Sequence, residues 1–231
     1  MSFRHISQPA TILLVAFILA ACSNTQQISS PTPESTPAPT ADNSDLEAIY
    51  WARQESARQR FVQAEVDFMT GMIGHHAQAL IMSDLAPKNG ASSSVRTLAS
   101  RIINAQKDEI ASMQQWLRDR DQPVPEVHID GLNLMIHGAG DHGGHHDHHN
   151  MPGMLSQAQL EELAAAKGTD FDRLFLTYMI DHHAGAITMV NELFDQDGAG
   201  MDEAAFKMAS DINVDQITEI ERMKLMLEAL P

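Results

Sequence analysis

Two histidine pairs, each set in a methionine-bearing segment, are the residues of this 231-residue chain best suited to chemistry. Residues 68–82 read Phe-Met-Thr-Gly-Met-Ile-Gly-His-His-Ala-Gln-Ala-Leu-Ile-Met, and residues 175–189 read Phe-Leu-Thr-Tyr-Met-Ile-Asp-His-His-Ala-Gly-Ala-Ile-Thr-Met. Phe, Thr, Met, Ile, His-His, Ala, Ala and Met recur in register, so the chain is internally duplicated. At about 100° per residue, Met69, Met72, His75, His76 and Met82 share one helical stripe about 140° wide. Met179, His182, His183 and Met189 repeat it, with Leu176 where the first copy has Met69. Thioether sulfur selects Cu(I) or Ag(I), and imidazole binds Cu(I), Cu(II) and zinc. A thioether needs no deprotonation, whereas a thiolate ligand does.

The helices that follow each copy add Glu109 with Met113, and Glu219 with Met223, each pair at i,i+4 and so on one face. Met113 or Met223 is a candidate to complete a His/Met ligand set. Glu109 or Glu219 is a candidate either to bind the ion or to orient a ligating imidazole. The competing reading makes the methionines core filler and the histidines hydrogen-bonded packing.

A second concentration of donors lies in residues 135–154. His137, His142, His145, His146, His148 and His149 are flanked by Met135, Met151 and Met154 and spaced by glycines. A histidine-biased tract is a metal-binding composition, and flexible spacing predicts poor selectivity among Cu(II), Zn(II) and Ni(II). Its affinity should fall as ordinary histidines protonate near pH ~6.5. His128 stands alone and receives no role.

These donors need elements to position them. Ser44-Asp45-Leu46-Glu47 reads as a capping box opening a helix that runs to about residue 86, with a bend near Gly71 and Gly74. A second helix is expected over about 92–119, a short one over 157–167, a long one over 170–193 and the last over 202–230. Residues 123–156 read as a long His/Met-rich connecting loop, and no strand pattern is read anywhere. The second helices also repeat, Gln106, Glu109-Ile110 and Met113 matching Gln216, Glu219-Ile220 and Met223. Each half is therefore a helical hairpin, 44–122 and 157–231, and neither buries its apolar face alone. An all-α four-helix bundle, one domain over 44–231, follows.

Residues 1–21 read as an export signal: Arg4 and His5, then an apolar run from Thr11 to Ala21. Leu19-Ala20-Ala21-Cys22 is similar to the bacterial lipoprotein cleavage signal, which makes Cys22 the lipidated first residue. An ordinary secretory signal is the alternative. Ser23 after Cys22 favours the outer membrane if the host has one. Residues 22–43, rich in Ser, Thr, Pro, Asn and Gln, read as a disordered tether. Cys22 is the only cysteine, which excludes a disulfide within the chain or a cysteine metal site. The net charge of -16 argues against a nucleic-acid surface. No nucleophilic triad, phosphate loop or nucleotide fingerprint is present.

The Phe-Met-x-x-Met-Ile-x-His-His-x-x-Ala core, Met151-Pro152-Gly153-Met154, Phe171-Asp172-Arg173-Leu174-Phe175 and Gln216-x-x-Glu219-Ile220-x-x-Met223 together resemble the domain of unknown function 305 family, over about residues 60–230. The resemblance implies a ferritin-like bundle, often exported, with copper or silver binding in some members. It implies Met72, His75, His76, Met82, Met179, His182, His183 and Met189 as ligands, with Met151 and Met154 as contributors. The function expected is a lipid-anchored envelope protein that sequesters Cu(I) or Cu(II), with silver or zinc as further ions, or hands copper to a copper-handling protein. No catalysis is needed for it. A ferritin-like metal-dependent oxidoreductase is the alternative, but no Glu-x-x-His occurs in the helices: Met72, Ile73, Met179 and Ile180 stand at i-3 of the four histidines. A structural or partner-binding helical module is the third reading.

Overall fold

The computed structural model describes residues 43–138 and 151–231. Along them run α1 (Asn43–Arg58), α2 (Gln63–Asp84), α3 (Ser93–Arg118), β1 (Glu126–Asp130), β2 (Asn133–His137), α4 (Gln157–Ala165), α5 (Gly168–Phe194) and α6 (Glu203–Glu228). α2 packs along α3 and α5 along α6, and the two hairpins meet mainly through α2 and α5. This is the four-helix bundle of repeated hairpins that the duplication predicts. Among the described residues, no helix is long and apolar enough to cross a membrane.

The long first helix of the sequence reading is two helices. The chain is extended at Val62 (φ -114°, ψ 160°), and the break lies there rather than at Gly71 or Gly74. Glu65 causes it. One carboxylate oxygen reaches back to the Val62 amide at 2.9 Å and the other accepts the Gly200 amide at 2.9 Å. Asp172 occupies the matching position in the second copy and accepts the Ser92 amide at 3.1 and 3.2 Å. Each carboxylate sits near the start of the first helix of one hairpin and holds the segment leading into the second helix of the other. Both are buried, and each satisfies backbone donors that would otherwise be stranded.

α3 and α6 begin at matching caps. Ser92 accepts the Val95 amide and Asp202 accepts the Ala205 amide at 2.9 Å. Asp202 also accepts Trp116 Nε1 at 3.0 Å and Arg120 Nε at 3.0 Å, and Arg120 lies over the Trp116 ring. Burial alone would raise the Asp202 pKa. The hydrogen bonds from Trp116, Ala205 and Arg120, with the charge of Arg120, carry it below its ordinary value. Asp202→Ala strands a buried guanidinium, so we expect a loss of about 3–5 kcal/mol, or about 10 °C in melting temperature. A calorimetric shift under about 2 °C would show the cluster to be dispensable.

The β-hairpin corrects the loop expected over 123–156. β1 and β2 pair antiparallel from Glu126–His137 to Asp130–Asn133, around a two-residue turn in which Gly131 takes φ 60°. Val127, Leu134 and Ile136 are half-buried against the bundle while their neighbours face out, the period-2 pattern that a helix-directed reading passes over. α5 also starts at Gly168, where φ is 57°, two residues before the expected Asp170.

Candidate metal centre

α2 and α5 bring both histidine pairs into the bundle interior, where all four rings are fully buried. The rings of His75 and His182 face each other across the helix contact, centroids 3.9 Å apart and planes at 38°. Sequence neighbours on a helix point about 100° apart, so the other two rings turn toward the partner helices. His76 Nε2 meets Glu109 Oε2 at 2.7 Å, and His183 Nε2 meets Glu219 Oε2 at 2.7 Å. His75 Nε2 meets the Pro152 carbonyl oxygen at 3.0 Å.

A carbonyl oxygen only accepts, and so does an ionised carboxylate. Nε2 therefore carries a proton on these three rings, and His75, held neutral by burial, keeps its lone pair on Nδ1. Nδ1 of all four histidines is buried with no hydrogen-bond partner, and His182 lacks one at Nε2 as well. Such atoms are costly, at about 1–3 kcal/mol each, unless something binds them. Burial, then the neighbouring His76 ring, lowers the His75 pKa to about 3, against a smaller opposing effect of its bond to Pro152. Burial, then His75, His183 and His76, hold His182 well below its ordinary value; the His75 backbone opposes this slightly without hydrogen-bonding geometry. These two rings are neutral, the state that ligates metal.

Among the described residues, six methionines are fully buried in the bundle. Met69, Met72 and Met113 belong to one apolar cluster with Ala186 and Val190; Met82, Met179 and Met223 belong to another with Phe175 and Leu176. Along α2, His75 and His76 stand between Met72 and Met82 in sequence, and all four side chains are fully buried. Among the described residues no three His, Asp or Glu side chains form a ready cage for an ion.

Glu109 and Glu219 connect the interior with solvent. They line a cleft of about 300 Å³ between α3 and α6, together with Gln106, Gln216 and Asp215. Burial, then Glu109, Glu219 and Asp211, raise the Asp215 pKa. The sequence reading left two roles open for these glutamates; here each bonds a buried imidazole as an orienting partner.

The segment after the histidine tract closes the site. Met151–Leu155 lies over His75 and His182 and is held differently by the two copies. Gln78 donates to the Leu155 carbonyl at 3.0 Å and accepts its amide at 2.7 Å. Gln78 corresponds to Gly185, where an added Cβ would meet the Pro152 carbonyl oxygen at 2.0 Å. The difference between Gln78 and Gly185, directly after the shared His-His-Ala of the repeat, was the available signal for this strap, and sequence reading missed it.

The structure thus gathers Met69, Met72, His75, His76, Met82, Met113, Met179, His182, His183 and Met223 inside the bundle. Met151, Met154 and Met189 are half-buried near the surface. His137 is a correction: it stands exposed on β2, an ordered strand, rather than in a flexible collecting loop. Cys22, His142, His145, His146, His148 and His149 lie outside the described residues.

The model of the family called Domain of unknown function (DUF305) matches residues 65–227. A solved DUF305 fragment from Deinococcus radiodurans is 29% identical, with TM-score 0.59, over 74% of this chain and 99% of that one. A DUF305 protein from Streptomyces coelicolor, 24% identical over 71% of this chain and 91% of that one, shares the fold with TM-score 0.57. CopM in its Cu(II)-bound form is 28% identical, with TM-score 0.51, over 71% of this chain and 95% of that one. No curated protein matches the chain at a comparable level.

Proposed function

The chain belongs to the DUF305 family, and from that premise we propose that it is an exported, lipid-anchored protein that sequesters copper, chiefly as Cu(I), or hands it on to a copper-handling partner. The observation that carries this reading is the set of four buried imidazoles whose Nδ1 atoms have no hydrogen-bond partner, in a bundle that also buries six thioethers. A purely structural core would gain nothing from orphaned nitrogens. Similarity to a protein solved with Cu(II) bound supports the choice of copper. Thioethers extend it to Cu(I) and Ag(I), and imidazole leaves zinc as a weaker competitor. Cys22 supplies the anchor and the histidine tract a further, less selective reservoir. Nothing in this scheme requires catalysis.

Competition titration of the mature chain against a Cu(I) chelator tests the ligand set. We expect His75→Ala with His182→Ala to weaken Cu(I) binding by about 100-fold, about 3 kcal/mol. Unchanged affinity would overturn the bundle site. Cys22→Ser should move the protein from the membrane to the soluble fraction of the envelope; retention at the membrane would remove the anchor from the proposal.

A further inference from the structure

Resting on the copper reading above, we propose that Met151 and Met189 form a separate surface port, where Cu(I) or Ag(I) is first captured by two thioethers before it passes to the buried imidazoles. The two side chains line a crevice of about 300 Å³ with Gly71, Pro152, Asp67 and Glu192. Their ends converge on Gly71: a Cβ added there would lie 3.3 Å from Met189 Cε and 3.4 Å from Met151 Sδ. Both methionines are half-buried, in contrast to the six sealed in the bundle.

The duplication argues that this opening is not incidental. Met189 corresponds to Met82, which is fully buried. Gly71 corresponds to Tyr178, whose ring packs against the core and whose hydroxyl bonds to Glu162. One side of the pseudo-symmetric bundle is filled, and the other is left open with two sulfurs in the gap. Behind the gap, Pro152 both lines the crevice and receives the His75 Nε2 proton, so port and buried pair meet at one peptide. Asp67 and Glu192 add negative charge at the rim, which raises the local concentration of cations. Capture and transfer are exchanges of dative ligands, sulfur for nitrogen; the ion keeps its oxidation state and no proton is needed at sulfur.

The test uses the mature chain and its Met151→Leu/Met189→Leu variant. Stopped-flow measurement of Cu(I) transfer from its bathocuproine disulfonate complex should show a rate about tenfold lower in the variant, about 1.4 kcal/mol of barrier. The metal-free melting temperature should be unchanged, so that a slower transfer cannot be laid to misfolding. An unaltered transfer rate overturns the proposal. In methyl-¹³C-methionine protein titrated with Ag(I), the Met151 and Met189 signals should shift before the buried six, and should still shift after His75→Ala with His182→Ala. Signals from these two that stay fixed in that variant also overturn it. A parent chain that binds no ion in the bundle yet shifts these two methyls sinks the buried site and leaves the port standing.

Discussion

Replacing His182 with leucine should stabilise the metal-free protein and abolish its stabilisation by copper. His182 is fully buried and neither ring nitrogen has a partner. Leucine of similar size removes both polar atoms, each worth about 1–3 kcal/mol of unrecovered desolvation. Part of the gain is lost with the contact to the His75 ring. A net rise of about 1–2 kcal/mol corresponds to about 2–8 °C in melting temperature for a domain of this size. The parent should melt higher with Cu(I) by mass action, about 4 kcal/mol at a thousandfold excess over its dissociation constant. The variant should show little of that rise. A metal-free variant less stable than the parent by about 1 kcal/mol or more would mean that His182 is a packing residue with satisfied nitrogens.

The second large effect is on pH. His75 and His182 have folded pKa values below the ordinary 6.5, His75 at about 3, chiefly through burial. The unfolded chain therefore takes protons that the folded chain refuses. Both forms are neutral above pH ~6.5, so these groups cost nothing there. Below it, each histidine subtracts about 1.4 kcal/mol of stability per pH unit, until the pH falls through the folded value. Between pH 6.5 and 5 His75 alone should cost the metal-free protein about 1.7 kcal/mol, with His182 adding a loss of the same sign, read as a falling urea midpoint. Copper on the Nδ1 atoms should flatten that slope. Cu(I) bound in the bundle should also survive pH 5, where ions held by ordinary exposed histidines are released. Equal stability of the metal-free protein at pH 7 and pH 5 would show that the rings are hydrated rather than sealed.

Much of this molecule was legible in the chain. The repeat around His75 and His182, continued in Glu109 and Glu219, sufficed for two hairpins and hence a four-helix bundle. Helical periodicity reports such faces well because it is local. The β-hairpin was missed because Val127, Leu134 and Ile136 alternate over only five-residue strands, inside a stretch dominated by glycine and histidine. The helix break between Arg58 and Gln63 was missed because the residue that caps the restart, Glu65, is held partly by Gly200, far along the chain.

The types of donor, their placement on one stripe of each helix and the exclusion of thiolate chemistry were properties of the sequence by itself. Which imidazole faces which was not, nor which nitrogen is left bare. Those depend on how the helices pack across the bundle, and interhelical angles are summed from contacts remote in sequence. Tertiary structure alone set His75 against His182, gave His76 and His183 their carboxylates, and laid Pro152 over the pair. It also separated Met189 from Met82, residues the repeat makes equivalent, because one copy carries Gly71 where the other carries Tyr178.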